Sequence, residues 1–437
     1  VLTAFTRAFK TPDLRRKLLF TLGIVLVFRL GSHVPVPGVS YSAVQNCLKN
    51  ADNTTGVLGL ANLFSGGALL QLSIFALGIM PYITASIIIQ LLTVVIPRFE
   101  ALKKEGQQGQ TKMTQYTRYL TIGLAILQSS TLITFAQNPQ ALFGARCTTI
   151  LPDGSITTLV IMVLTMTAGT GVVMWLGELV TDKGIGNGMS LLIFTSIASS
   201  FPSSLWAIEQ QQGRWDVFIG VILLGFLIIA LVVFVEQSQR RIPVQYAKRQ
   251  VGRQMYGGTS TYIPLKVNMA GVIPVIFASS LLALPSLVAQ FNRSATGNQA
   301  AWVTWVQENL VRGDHPIYMM LYVGLILFFT FFYVSITFNP TEVADNMKRY
   351  GGFIPGIRAG RPTAEYLDYV LTRITVPGAI YLGLISLIPL IALVLVGANQ
   401  NFPFGGTSIL IIVGVGLETV KQIESQLQQR HYEGFLR

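Results

Sequence analysis

Apolar residues run through this chain in long blocks, and the charges collect in the gaps between them. About ten blocks fit the 17–25 residue window of a membrane-crossing helix. They lie near 18–37, 73–96, 119–136, 157–179, 189–206, 217–235, 269–290, 317–337, 376–397 and 406–420. Directly before the second block stands GVLGLANLFSGGALLQ (56–71), apolar but split by Ser65, Gly66 and Gly67. At 1.5 Å per helical residue it reaches roughly 24 Å, short of the roughly 30 Å hydrocarbon core. The pattern predicts an all-α polytopic membrane protein in which one short segment enters the membrane region without crossing it.

Composition strengthens that reading. The 437 residues are 51% hydrophobic and only 11% charged, where a soluble protein carries about 25% charged residues; the mean hydropathy is +0.56. Arg7, Lys10, Arg15, Arg16 and Lys17 precede the first block. No small-residue cleavage site follows, so that block reads as a membrane anchor rather than a signal peptide.

The net charge of +12 would suit a nucleic-acid partner, but topology accounts for most of it. With the N-terminus inside, 25 of the 31 Lys and Arg fall on inside segments and 5 on outside ones, with Arg29 inside the first block. Both termini are therefore expected on the cytoplasmic side. Ten spans divide into sets of five, 1–206 and 207–437, and an odd number per set makes structural repeats inverted, with a pathway at their interface. The two sets show no residue-level similarity, so a ten-helix bundle without repeats fits the count equally.

Two inside loops, 236–268 and 338–375, are long and basic, with Arg240, Arg241, Lys248, Arg249, Arg253, Lys348, Arg349, Arg358 and Arg361. Charge alone would serve topology. The length of the loops, and Gly and Pro at their turns, point further, to ordered surfaces that a large anionic partner docks on.

The blocks carry no chain of Asp, Glu and His of the kind a proton-coupled transporter needs; Glu178, Glu236 and Glu418 stand near the inside ends. The 2 cysteines and 3 histidines show no metal-ligand spacing, and no cofactor is expected. What the interior offers is isoleucine at helical spacing: Ile83 and Ile87 share one helix face, as do Ile193 and Ile197. Isoleucine is common against lipid. A ring of such side chains would also seal a wide pathway by excluding water.

Six long stretches are specific enough to carry a likeness: FRLGSHVPVPGV (28–39), LFSGGALLQLSIFALGIMPYITASIIIQLL (63–92), GIGNGMSLLIF (184–194), RRIPVQYAKRQVGRQMYGGTSTYIPLKVNMAGVIPVIFASS (240–280), NPTEVADNMKRYGGFIPGIRAG (339–360) and FPFGGTSILIIVGVGLETVKQIESQL (402–427). They resemble the SecY/Sec61-alpha family, the central channel subunits of the Sec translocase. The likeness runs over almost the whole chain, and several loops are similar to actinobacterial versions.

The resemblance implies ten transmembrane helices in two inverted halves around a central pore. The chain would be a protein-conducting channel, not an enzyme, of the bacterial cytoplasmic membrane. It would export unfolded polypeptides and release membrane-protein helices sideways into lipid. The short segment at about 56–70 becomes the plug, a half-helix with Leu58, Leu60, Asn62, Leu63, Phe64, Ser65, Gly66 and Gly67. Such a segment is expected to be loosely held, hinged at Ser65, Gly66 and Gly67. The pore ring maps onto Ile83, Ile87, Ile193, Ile197, Ile276 and Ile411. A lateral gate between the second–third and seventh–eighth spans maps onto Gln90, Gln128 and Asn268; Ile88 departs from the hydroxyl that some relatives carry there. Implied partners are SecE and SecG, the SecA ATPase, the ribosome, signal peptides, nascent chains and membrane lipids. Lys248, Arg249, Arg253 and Arg358 are the loop residues expected to meet SecA or ribosomal RNA.

Cys47 and Cys147 fall in the first and second external connections. An oxidising compartment would let them pair, although spacing alone does not establish contact. Two other functions compete with the channel: a secondary transporter with a small-molecule site at the midplane, and a scaffold that only anchors ribosomes.

Overall fold

The structure, a computed structural model, describes residues 9–50, 65–137, 150–212, 215–246, 249–251, 254–256, 260–291, 301–311, 315–396 and 406–433. A helix lies on each of the ten apolar blocks: α1 (Pro12–Gly31), α3 (Met80–Val95), α5 (Gln107–Gln137), α6 (Ile156–Lys183), α7 (Gly188–Gln212), α8 (Trp215–Gln237), α9 (Ile273–Phe291), α11 (Pro316–Thr337), α13 (Arg361–Val396) and α14 (Gly406–Glu433). Shorter helices connect them: α2 (Tyr41–Asn50), α4 (Pro97–Lys104), α10 (Ala301–Val306) and α12 (Pro340–Arg349). Among the described residues, three helical stretches are long and apolar enough to cross a membrane alone: Ile156–Lys183, Pro316–Arg349 and Arg361–Ile388. A fourth is added if Met80–Val95 and Pro97–Lys104, bent by 99°, count as one. This is a multi-pass membrane protein.

Two boundaries differ from the sequence expectation for reasons of backbone conformation. The first block, expected to run to 37, is helical only to Gly31. Pro35 and Pro37 push the residues before them out of the helical region, and the chain there pairs as an extended strand instead. Val36 N–H donates to the Leu72 carbonyl at 3.0 Å and Ile74 N–H to Val34 at 2.9 Å, around a bridge between Pro35 and Ser73.

The second block, expected to be helical from 73, becomes so only at Met80. Residues 65–79 are turns. Gly66, Gly67 and Gly78 have φ of +68°, +88° and +54°, and Leu72 has φ of +47°. No right-handed helix passes through such positions, and Pro81 then favours a helix start.

The half-helix expected at 56–70 is therefore a turn over 65–70, while 56–64 lies outside the described residues. Of its described end, Ser65, Ala68, Leu69 and Leu70 are buried.

Other helices overrun their blocks. α5 and α13 begin, and α14 ends, in polar sequence rich in good helix formers (KQIESQLQQ after 420).

Packing follows chain order within each set of five. α3, α5, α6 and α7 pack in succession, with α1 against α6 and α7; α9, α11, α13 and α14 do the same, with α8 against α14. The sets meet where α7 touches α14 and α8, and where α3 touches α9.

The two long basic loops build one unit. Strands β1 (Gln239–Tyr246) and β4 (Ser260–Lys266) form an antiparallel hairpin with Ile242 opposite Ile263. The small hairpin β2 (Arg249–Val251) and β3 (Gln254–Tyr256) lies between them in sequence. Strand β5 (Gly352–Phe353), from the second loop, adds to the other edge of β1, giving the order β4-β1-β5. Alternation along β1 turns Ile242 and Val244 to one face. There they share a core with Leu265, Met347, Ile354, Leu367 and Val370.

Candidate functional site

Four helices deliver the six isoleucines to the meeting point of the two sets. α3 supplies Ile83 and Ile87, α7 Ile193 and Ile197, α9 Ile276, and α14 Ile411. Ile193, Ile197, Ile276 and Ile411 are buried in one apolar cluster, with half-buried Ile83 packed against it. Ile87 lies in the adjoining cluster, which Ile83 also touches. Such a cluster of side chains has no donor, acceptor or charge. It can exclude water and fit closely around apolar or extended matter, but it cannot recognise a sequence.

Next to it lies the 65–79 turn. Phe75 stacks on Phe28 of α1, with ring centroids 5.9 Å apart. This needs Gly31, because a Cβ there would fall 2.1 Å from the Phe75 ring. Ser65 Oγ accepts from Leu69 N–H at 3.1 Å, and Ser73 Oγ donates to the Ala68 carbonyl at 3.2 Å. Arg29 Nη1 donates to the Gly66 carbonyl at 2.8 Å. Leu58, Leu60, Asn62, Leu63 and Phe64 lie outside the described residues.

The three amides assigned to a lateral gate are not joined: among the described residues no hydrogen bond links Gln90, Gln128 and Asn268. Asn268 Nδ2 instead donates to Glu236 Oε1 at 2.6 Å and to the Gly271 carbonyl at 3.1 Å. Both bonds keep it within the second set of helices. Asn268 Oδ1 and the Tyr381 hydroxyl are buried without a partner among the described residues.

On the basic face, Arg358 is exposed, and its carbonyl accepts from Thr363 Oγ1 at 2.8 Å. Arg249 lies in β2, while Lys248 and Arg253 lie outside the described residues. Cys47 is buried on α2 and disulfide-bonded. The chain's other cysteine, Cys147, lies outside the described residues. No group of His, Cys, Asp and Glu among the described residues could hold a metal ion.

Sequence reasoning missed three features. Arg118 of α5 and Glu178 of α6 form a forked pair, Nε to Oε1 at 2.8 Å and Nη2 to Oε2 at 2.7 Å. The Arg241 guanidinium lies over the Tyr262 ring, 4.8 Å from its centroid. Arg29, placed by the sequence only inside the first block, reaches the turn beside the isoleucines. The second and third left a signal in the sequence: the β1–β4 alternation could have set Arg241 and Tyr262 on one face, and a cation inside an apolar block needs a partner.

The sequence profile of the SecY family matches residues 73–420. The chain belongs to the SecY family. It is 69% identical over 443 residues to the protein translocase subunit SecY of Streptomyces galbus, covering 100% of both chains. With the SecY of Mycobacterium tuberculosis it shares 59% over 443 residues, again with full coverage of both. The SecY fold is seen in solved structures too. One described as the structure of a protein conducting channel superposes with a TM-score of 0.63 at 19% identity, over 94% of this chain and 91% of that one. Sec61 in the canine ribosome–channel complex gives 0.60 at 17%, with the same shares. SecY is a channel subunit of a translocase and not itself an enzyme, which agrees with a site made of hydrocarbon.

Proposed function

We propose that this chain is the polypeptide-conducting channel of a bacterial cytoplasmic-membrane translocase. Unfolded secretory chains pass through the isoleucine constriction, and membrane-protein helices leave sideways between α3–α5 and α9–α11. The convergence of six isoleucines from four helices carries the reading, because a purely apolar constriction accepts any extended sequence yet limits ion leak. The matching packing order of the two sets supports inverted halves, 1–206 and 207–437, with ten spans and both termini cytoplasmic. Residues 56–70 act as the plug; a solved SecY structure is described as showing that the plug domain stabilises the closed state and maintains a membrane seal.

The joined basic loops form the cytoplasmic docking platform. Lys248, Arg249, Arg253 and Arg358 serve the SecA ATPase and ribosomal RNA, and the relative Sec61 is described in a ribosome–channel complex. SecE and SecG complete the core, signal peptides and nascent chains are the substrates, and lipid lies at the gate. The amides Gln90, Gln128 and Asn268 line the two sides of that gate, with Asn268 holding its own side together. Cys47 and Cys147 pair on the external face.

A photoreactive residue at Ile87, Ile193 or Ile411, with a secretory precursor stalled midway, tests the reading. Adducts at all three, absent at Leu227, which is 63% exposed on α8, are the expected result. Adducts confined to loops 236–268 and 338–375 would mean docking without passage, and a scaffold.

A further inference from the structure

Arg29 is the one charged side chain inside the first apolar block, and a cation at such a place needs a partner. Among the described residues it makes no ion pair. Its bond goes to a main-chain carbonyl, that of Gly66 at 2.8 Å.

Gly66 is shaped to receive it. The backbone is left-handed, φ +68°, and a Cβ would stand 3.2 Å from Arg29 Nη1 and 3.2 Å from the Cα of Ser196. The turn is thus caught between α1 and α7, at the residue next to Ile197 of the constriction. On its far side the turn is tied to 34–36 by the two hydrogen bonds around Ser73.

The chain between is therefore fixed at one end by a backbone ladder. At the other, where Ser65, Leu69 and Leu70 are buried, the Arg29 bond adds a charge-assisted contact to the packing, stronger than a neutral one and strengthened by the low-dielectric surroundings. Because the acceptor is a carbonyl, breaking this bond strands no carboxylate.

We propose that Arg29 is a positioning residue of the channel: it fastens the Gly66 turn against α7 beside the isoleucine constriction and so keeps the resting channel shut. The proposal rests on reading 56–70 as the plug.

The test is the unloaded conductance of the full translocase core in planar bilayers, with a variant lacking residues 58–69 as the leaky reference. R29Q is expected to conduct several-fold more than wild type and to export precursors with damaged signal sequences. R29K, which keeps a cationic donor, is expected to stay near wild type in both. Wild-type conductance in R29Q beside a leaking deletion variant overturns the role of Arg29 and leaves the plug reading standing. No leak in either overturns both. Equal leak in R29K and R29Q also overturns the proposal, because it shows a packing fault rather than a lost bond. Should R29Q fail to assemble, G66A is read in its place: it leaves the guanidinium intact but crowds its seat, and wild-type conductance there overturns the proposal.

Discussion

At the scale of single residues, the polar groups matter most where hydrocarbon surrounds them. Asn268 is buried, and its amide is the donor that Glu236 receives at 2.6 Å. N268L should therefore leave a half-buried carboxylate without its donor, at a cost of about 1.5–3 kcal/mol. The expected sign is a lower melting temperature of the purified protein, partly restored when E236Q removes the charge as well. An unchanged melting temperature would mean that water reaches Glu236. Arg358 is the opposite case: it is exposed, and among the described residues its guanidinium makes no hydrogen bond or ion pair. If the proposed docking platform takes the motor ATPase, R358E should leave assembly intact yet weaken that docking by roughly an order of magnitude, through like-charge juxtaposition. Normal ATP-driven export in that variant would remove Arg358 from the docking surface. Neither partner of Asn268 was legible in the sequence. An amide beside a span announces that it needs a partner, but the choice between a neighbour on its own side and one across the gate is made by helix packing.

At the scale of elements, the apolar blocks were legible because a membrane leaves little choice: an apolar run of that length becomes a helix. What escaped was the 65–79 segment, as apolar as its neighbours but turned by left-handed Gly66, Gly67, Leu72 and Gly78. Glycine in sequence permits that conformation without announcing it, and Leu72 gives no signal at all. The union of the two basic loops escaped for a different reason. Strand β5 is two residues long, and its pairing with β1 joins segments far apart in sequence. That union has a consequence for stability. Val244, on β1, is 1% exposed in a core that also takes Met347, Ile354 and Leu367 from the second loop. V244D places a charge there, which costs several kcal/mol unless the unit opens. Limited proteolysis should then find new cleavage sites in 338–375 as well as in 236–268. Cleavage confined to the mutated loop would show that the loops fold independently.

At the scale of the molecule, α3 and α9 are one place where the two sets of helices meet among the described residues, and on the proposed sideways route this contact is the one that parts. Ile87 of α3 and Val275, Ala278 and Leu282 of α9 are buried in one apolar cluster that closes this contact. Near its basic end, Lys103 of α4 donates from Nζ to the Ile336 carbonyl in the last turn of α11 at 3.4 Å. That places a cation where the helix dipole favours one. The bond is long and exposed, so hydrophobic contact, easily replaced by lipid or by an apolar signal sequence, does most of the closing. That is what a gate needs if its ligand is any sufficiently apolar helix: the cluster is lost to water only at a price, but exchanged for another hydrocarbon surface at little net cost. Cysteines placed at Ile87 and Ala278 and joined by a short cross-linker should hold α3 against α9. Insertion of membrane-protein helices should then stop, and a long flexible linker should restore it. If the short bridge leaves insertion untouched, helices leave by another route, and the α3–α9 seam is only a packing contact.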